Sequence, residues 1–148
     1  MFDDLNDLYQ QVILDHSRSP RNFRVLEGAS HVARGANPLC GDQVTVYARI
    51  QDDVIQDISF QGSGCAISKA SASLLTDSVK GHSKAEVEVL FHRMHDLITT
   101  GRSADGQLGK LAAFAGVHKF PSRVKCAILP WHAVLAALRG QAEPVSTE

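Results

Sequence analysis

Three cysteines and one aspartate are the residues of this chain whose types and positions best suit chemistry. The 148 residues include three cysteines, Cys40, Cys65 and Cys126, and each stands at a predicted junction between local structures. Asp42 follows Cys40 after a single glycine, so one turn can project both side chains. Three thiols cannot all pair within one chain. This disfavours a disulfide framework and favours metal binding or thiol chemistry.

The local contexts of the three cysteines argue against a purely structural role. Cys40 lies in the turn "NPLCGD", where burial is difficult, and Cys65 follows "GSG" where a predicted strand gives way to a helix. Cys126 precedes the last predicted helix. Helix N-termini favour the thiolate, which is the form that binds metals and attacks sulfur. The alternative is three ordinary buried thiols, since free cysteine behaves as a small hydrophobe.

A metal site needs a fourth ligand besides the three thiolates. Structural zinc takes four tetrahedral ligands from Cys, His, Asp or Glu, and Asp42 is the natural fourth. The sequence contains no CxxC pair, so the ligands would come from three distant parts of the chain. The spacing alone is therefore only a moderate indication of a metal site.

Composition narrows the class of protein. The chain is 44% hydrophobic and 21% charged, which predicts a soluble globular fold in a single domain, 1–148. Fifteen Lys and Arg against 16 Asp and Glu give a formal charge of −1, which offers no electrostatic case for nucleic acid or an acidic membrane. No apolar run approaches the roughly 20 residues of a membrane span. The acidic start "MFDDLNDLYQ" differs from a secretory signal, so we expect a cytoplasmic protein with reduced thiols.

The first half of the chain predicts one helix and a small antiparallel sheet. Apolar spacing predicts an amphipathic helix over 3–16. Alternation in "QVTVYARI" and the segment "VIQDISFQG" predict two strands, joined as a hairpin by a turn at Asp52-Asp53. The stretch "SHVARG" supplies a third strand.

The second half predicts helices. One runs from about Gly64 to Gly81, and the next begins at Ser83, which forms a capping-box signature with Glu86. A loop and a short helix around 108–114 follow. The last helix is expected to begin near Cys126 or shortly after, because Pro130 is tolerated in a first turn. Residues 141–148 form a polar tail that we expect to be disordered.

These motifs together resemble a known family. Over about Leu8 to Leu138 the chain resembles the NifU N-terminal, or IscU-like, iron–sulfur cluster assembly proteins. The motifs that carry the resemblance are "LYQQVILDHSRSPRNF", "NPLCGD", "GSGCAISKASASLL" and "SRVKC". The resemblance implies an α+β fold in which a small antiparallel three-stranded sheet packs against several helices. It also implies that the metal ligands Cys40, Asp42, Cys65 and Cys126 gather at one end of that fold.

Three features resemble the SufU branch of the family more than its iron–sulfur scaffold branch. The scaffold branch has a histidine directly before the third cysteine, where this chain has Lys125, a poor ligand while it is protonated. The scaffold branch also has a chaperone signal, "LPPVK", in place of which this chain reads "VHKFPSRVKC". Finally, 60 residues separate Cys65 from Cys126, which is longer than the scaffold branch leads us to expect.

The SufU resemblance implies one bound Zn²⁺ and persulfide transfer from a SufS-type cysteine desulfurase, within iron–sulfur cluster assembly. Cys40, on a mobile turn, would accept the sulfur. Arg123 would hydrogen-bond near the zinc or contact the partner, although an ordinary surface arginine is an equal alternative. Downstream SUF scaffold proteins are further candidate partners.

Two other functions stay open from the sequence. One is an IscU-type scaffold that holds a transient [2Fe–2S] cluster on the same ligands. The other is a structural zinc module that only binds partners. The sequence assigns no final sulfur acceptor, no oligomeric state and no role to His92, His95 or Trp131.

Overall fold

The computed structural model describes residues 2–38, 41–102, 108–140 and 145–146. Its elements, in chain order, are α1 (Phe2–Arg18), β1 (His31–Asn37), β2 (Asp42–Gln51), β3 (Val54–Ser63), α2 (Ala66–Val79), α3 (Lys84–Thr100), a 3₁₀ helix (Gly109–Lys119), α4 (Pro121–Leu138) and β4 (Val145–Ser146). The predicted loop after Gly101 falls largely on 103–107, outside the described residues.

The sheet has the strand order β3-β2-β1-β4. β1 pairs antiparallel with β2, and β2 pairs antiparallel with β3, so the predicted three-stranded antiparallel sheet is confirmed. A two-residue strand that the sequence did not predict, β4, runs parallel to β1 and pairs Gly35 with Val145. The tail positions 141–144 and 147–148 lie outside the described residues, and their disorder stays a prediction.

The β2–β3 hairpin closes on two aspartates. Asp52 and Asp53 both adopt left-handed backbone, with φ of 56° and 61°. Two left-handed central residues are the conformation that matches the twist of a hairpin, and aspartate tolerates it better than most residues. The predicted turn is therefore confirmed.

One face of the sheet packs against the helices. Val44, Val46 and Ala48 alternate along β2 and are buried, whereas the residues between them are more exposed. The core beneath them includes the fully buried Trp131 and Phe114. Among the helices of the described ranges, none combines the length and apolar character that a membrane crossing requires.

The helix ends follow the sequence signals. The Ser83 side chain accepts from the Glu86 N–H while the Glu86 carboxylate accepts from the Ser83 N–H, which confirms the capping box. α3 then ends at Gly101, whose φ of 78° is the left-handed C-cap that glycine adopts at low cost. This helix therefore has its predicted bounds.

The predicted start of the last helix is wrong. α4 begins at Pro121, so Cys126 lies in its second turn and Pro130 in its interior. An interior proline costs about 3 kcal/mol. Burial of Ile128, Leu129 and neighbouring apolar side chains on both sides of Pro130 contributes roughly 1.5–3 kcal/mol each. Tertiary packing therefore outweighs the local preference that placed Pro130 in a first turn.

Candidate metal centre

The connection between β1 and β2 brings Asp42 to the end of the sheet. The last pair of the β1–β2 ladder is Asn37 with Asp42, and the Gly41 N–H donates to the Asn37 carbonyl at 2.9 Å. Gly41 adopts φ of 76°, a left-handed conformation that favours glycine. Asp42 is only 2% exposed, so its carboxylate points into the protein. Cys40 belongs to this connection by sequence and lies outside the described residues.

The Asp42 carboxylate contacts the start of α2. Cys65 is the N-cap residue of that helix, with extended backbone, and its N–H donates to Asp42 Oδ1 at 2.9 Å. The second oxygen, Oδ2, lies 3.6 Å from Cys65 Sγ. A carboxylate at a helix N-terminus is stabilised by the helix dipole. Asp42 therefore both caps α2 and places an anionic oxygen beside a thiol.

Two small residues surround this contact. A Cβ on Gly64 would stand 2.9 Å from Asp42 Cγ and 2.9 Å from Ser68 Oγ, closer than real contacts allow. The Ser68 hydroxyl donates to the Cys65 carbonyl at 3.1 Å and lies 3.9 Å from Cys65 Sγ. Sequence reasoning attached no role to Ser68 or to the missing side chain of Gly64. The only available signal was the run of small residues around Cys65.

Cys126 completes a group of three donors. It is 6% exposed, and its Sγ, Cys65 Sγ and a carboxylate oxygen of Asp42 all lie within 4.8 Å of one another. These side chains come from α4, from the start of α2 and from the start of β2. The structure thus brings together three of the four predicted ligands. The described residues contain no other group of three or more His, Cys, Asp or Glu that could hold a metal.

The donor set fits zinc. Tetrahedral zinc has Zn–S bonds of about 2.3 Å and Zn–O bonds of about 2.0–2.2 Å, which places neighbouring ligand atoms roughly 3.5–3.8 Å apart. The 3.6 Å between Cys65 Sγ and Asp42 Oδ2 falls in this range. Side-chain rotation can close the remaining separations of up to 4.8 Å. Thiolate and carboxylate ligands are both common for zinc.

The residues just before Cys126 are more exposed. Arg123 lies in the first turn of α4, and its guanidinium carbon stands 4.4 Å above the ring of Phe120, which is 46% exposed. A cation over an aromatic face is a favourable contact. The role of Arg123 toward a metal or a partner stays a prediction. Lys125, the residue directly before Cys126, is half-buried.

None of the described histidines belongs to this donor group. Phe91 is ringed by His92, His95 and His132, at 5.5, 6.1 and 5.3 Å between ring centroids. Burial, together with the nearby His95, lowers the pKa of His132. Trp131 is fully buried in the core, and its indole N–H has no hydrogen-bond partner among the described residues.

Comparison with known proteins identifies the family. The profile of the "NifU-like N terminal domain" matches residues 8–127. This span includes β1 to β3, α2 and the three donors that the structure brings together. The chain therefore belongs to the family of NifU-like N-terminal domains.

Relatives with different names are equally similar to the chain. "Iron-sulfur cluster assembly scaffold protein IscU" of Streptococcus pyogenes serotype M1 is 40% identical over 139 residues, which cover 93% of this chain and 87% of that protein. "Zinc-dependent sulfurtransferase SufU" of Bacillus subtilis is 40% identical over 132 residues, 88% of each chain. Overall identity thus does not separate a scaffold from a sulfurtransferase.

Two solved structures have the same fold as this chain. One is a candidate iron–sulfur cluster assembly scaffold of the SUF system from Fervidobacterium islandicum, which superposes with a TM-score of 0.82 at 34% identity, over 86% of this chain and 94% of that one. Another is the N-terminal part of a NifU-like protein from Brucella abortus, with a TM-score of 0.82 at 25% identity, over 93% and 96%. The predicted α+β class is confirmed.

Proposed function

We propose that this protein is a zinc-dependent sulfurtransferase of iron–sulfur cluster assembly, and that it accepts persulfide sulfur from a SufS-type cysteine desulfurase. The observation that carries the proposal is the convergence of Asp42, Cys65 and Cys126 within 4.8 Å. The family resemblance implies a histidine ligand directly before the third cysteine of a scaffold, and this chain has Lys125 at that position. The Bacillus subtilis relative, named a zinc-dependent sulfurtransferase, supports the same function.

Four side chains of this chain would hold the zinc. They are Asp42, Cys65 and Cys126, together with Cys40 from the β1–β2 connection. Bound zinc would keep its thiol ligands deprotonated at neutral pH. A reducing compartment is required for free thiols, so we expect the protein to act in the cytoplasm.

Accessibility selects the sulfur-accepting residue. Cys126 is buried, and Cys65 is half-buried and tied to Asp42 through its own N–H. A persulfide on another protein reaches a surface turn more readily than a thiol in a packed helix, and the sequence predicts that Cys40 lies in such a turn. Cys40 is therefore the proposed acceptor, while Cys65 and Cys126 are the anchoring ligands. Downstream SUF scaffold proteins would take the sulfur onward.

The transfer itself is a thiol–disulfide type exchange. The Cys40 thiolate attacks the outer sulfur of the desulfurase persulfide, and a new S–S bond forms on Cys40. The S–S bond of the desulfurase persulfide breaks, and its cysteine leaves as a thiolate that then takes up a proton. The sulfane sulfur changes carrier, so the exchange needs no external oxidant or reductant.

The deciding experiment combines turnover with mass spectrometry. The matching desulfurase is supplied with free cysteine, with and without this protein, and the protein is then alkylated and digested. We expect faster sulfur release and one additional sulfur on Cys40. Extra sulfur on Cys65 or Cys126 alone, or full transfer by Cys40→Ala, would contradict the assignment. No stimulation at all would favour a structural zinc module.

A scaffold is the second candidate function, because the Streptococcus pyogenes relative named IscU has the same 40% identity. Anaerobic treatment with iron and sulfide distinguishes the two. A scaffold turns brown as a cluster forms, whereas the zinc protein stays colourless because Zn²⁺ is d¹⁰. Elemental analysis of the purified protein should show about one Zn²⁺ per chain.

A further inference from the structure

A buried hydrogen bond links α2, which Cys65 precedes as the N-cap residue, to α4, which contains Cys126. The Ser71 hydroxyl donates to the Ala127 carbonyl at 2.6 Å, and both residues are fully buried. Ser71 lies six positions after Cys65 on the same helical segment, and Ala127 directly follows Cys126. The bond therefore joins the two backbones that carry Cys65 and Cys126.

The α4 backbone is unusual at this point. In a regular helix the carbonyl of Cys126 accepts from residue 130, but that residue is Pro130, which has no N–H. Proline also crowds the preceding turn and tends to open it. The neighbouring carbonyl, that of Ala127, accepts the Ser71 hydroxyl from a different helix.

We propose that Ser71 is a positioning residue for the metal centre, and that its bond to Ala127 sets the separation of the Cys65 and Cys126 thiols. This inference rests on the proposed metal site. Apolar contacts between α2 and α4 are non-directional and tolerate small sliding. A short hydrogen bond fixes both distance and direction. Metal ligands need that precision, because tetrahedral zinc places its sulfurs only about 3.8 Å apart.

Ser73 provides a matched control on the same helix. It is also fully buried, and its hydroxyl contacts His16 Nδ1 at 2.7 Å and accepts from the Arg21 N–H at 2.8 Å. These partners belong to α1 and the segment after it, and not to α4. Ser71→Ala and Ser73→Ala thus both remove a buried hydroxyl, but only Ser71→Ala removes the link between α2 and α4.

The experiment measures the separation of the thiols without a metal and then with one. In a Cys40→Ala background only Cys65 and Cys126 remain, and phenylarsine oxide bridges two thiols only when one arsenic atom can reach both. Apo protein is titrated with this arsenical. The chain with Cys40 present is titrated with Co²⁺, whose thiolate charge-transfer absorption reports the sulfur ligands. Thermal unfolding of each apo protein measures stability.

We expect Ser71→Ala to weaken both arsenical and Co²⁺ binding by about tenfold or more. Ser73→Ala should change both affinities by less than about threefold, although its unfolding temperature falls by a similar amount. Ser71→Thr, which keeps the hydroxyl, should restore most of the affinity. Equal losses of affinity in Ser71→Ala and Ser73→Ala would overturn the proposal, because they would show a general effect of stability.

The readouts separate this inference from the proposed function. If the unaltered chain binds no Co²⁺ through sulfur, the metal site fails, while the arsenical titration still tests whether Ser71 sets the thiol separation. If Ser71→Ala does not fold, the affinities of Ser71→Thr test whether the hydroxyl sets the separation of the thiols. Affinity within about threefold of the unaltered chain then supports the role of the hydroxyl, and a tenfold loss in a folded Ser71→Thr protein contradicts it.

Discussion

Helix α2 carries two buried polar clusters that differ in one respect. At its N-terminal end, Asp42 and Ser68 surround Cys65 and face Cys126 across the site. Further along, the helix presents Ser73 and Thr76 to the segment that follows α1. There His16 and Arg21 contact Ser73, and Asn22 donates to Thr76 at 3.1 Å. The first cluster brings two thiols and a carboxylate close together. The second cluster pairs hydrogen-bond donors with hydrogen-bond acceptors.

The types of polar group in a buried cluster indicate whether the cluster stabilises the fold or binds a ligand. Hydroxyl, imidazole and backbone groups can satisfy one another, so the cluster around Ser73 holds α1 in place without further partners. Thiols are weak hydrogen-bond formers, and a carboxylate is expensive to bury unless it is charge-compensated. A bound cation would therefore stabilise the cluster at Cys65, whereas hydrogen bonds already stabilise the cluster at Ser73.

The largest expected effect is the response of stability to metal removal. At a free zinc concentration of about 1,000 times Kd, binding would stabilise the fold by roughly 4 kcal/mol. A chelator should lower the unfolding temperature of the unaltered protein accordingly. In Cys126→Ala the unfolding temperature should be low with or without chelator. Calorimetry with a zinc series measures both, and equal chelator responses in the two proteins would contradict the metal assignment.

Gly64→Ala should damage the first cluster while leaving the second intact. Its Cβ would stand 2.9 Å from Asp42 Cγ and from Ser68 Oγ, so the carboxylate must shift from the start of α2. Overpacking of this kind costs about 1–3 kcal/mol. We expect lower zinc affinity by competition with a chromophoric chelator. Gly116→Ala is the control, because its added Cβ would meet no atom within 4 Å beyond its chain neighbours and its own helix backbone.

Asp42 variants separate the capping role from the ligand role. Asp42→Ala removes the acceptor for the Cys65 N–H and should destabilise the apo protein by about 1–2 kcal/mol. Asp42→Asn retains an acceptor oxygen, so it should recover most of that stability while lacking the anionic ligand. Zinc should remain on the three thiols in both variants, and desulfurase stimulation should change more than metal content. Urea unfolding measures the stability of each variant, and elemental analysis measures its zinc content. Complete loss of zinc in Asp42→Asn would show that the carboxylate is essential for zinc binding.

The smallest effect is a pH dependence that belongs to the second cluster. Burial, followed by the charge of Arg21, lowers the pKa of His16 below its ordinary value of 6.5. The unfolded chain therefore binds a proton that the folded chain resists, so stability is full above about pH 6.5 and declines as the pH falls below it. His132 adds a decline of the same sign, because its pKa is also lowered.

His16→Gln should reduce the loss of stability at low pH, and His132→Gln should remove the part of that loss that His132 contributes. Urea unfolding between pH 5 and 8 measures the slope for each protein. The slope in the unaltered chain should correspond to no more than one proton for each of the two histidines. An unchanged slope in His16→Gln would show that the cluster around Ser73 does not hold a neutral imidazole.

Local sequence patterns predicted most elements because their signals are local. Alternating apolar residues predicted β2, and the Ser83–Glu86 pair predicted the start of α3, since these patterns act within a few residues. The start of α4 was predicted wrongly because Pro130 carries a strong local penalty. That penalty is smaller than the burial free energy of the apolar side chains around it.

The sequence by itself indicated which residues could bind a metal, because the chain has only three thiols and Asp42 follows the first of them after a single glycine. It also predicted the starts of β2 and α2, but it placed Cys126 ahead of the last helix, whereas Cys126 lies inside α4. Only the tertiary structure decided that Asp42, Cys65 and Cys126 lie within 4.8 Å, that Asp42 caps α2, and that Ser71 ties α2 to α4. These contacts join residues 23 to 84 positions apart in the sequence. No local pattern encodes such distances, since they depend on how the helices pack against the sheet.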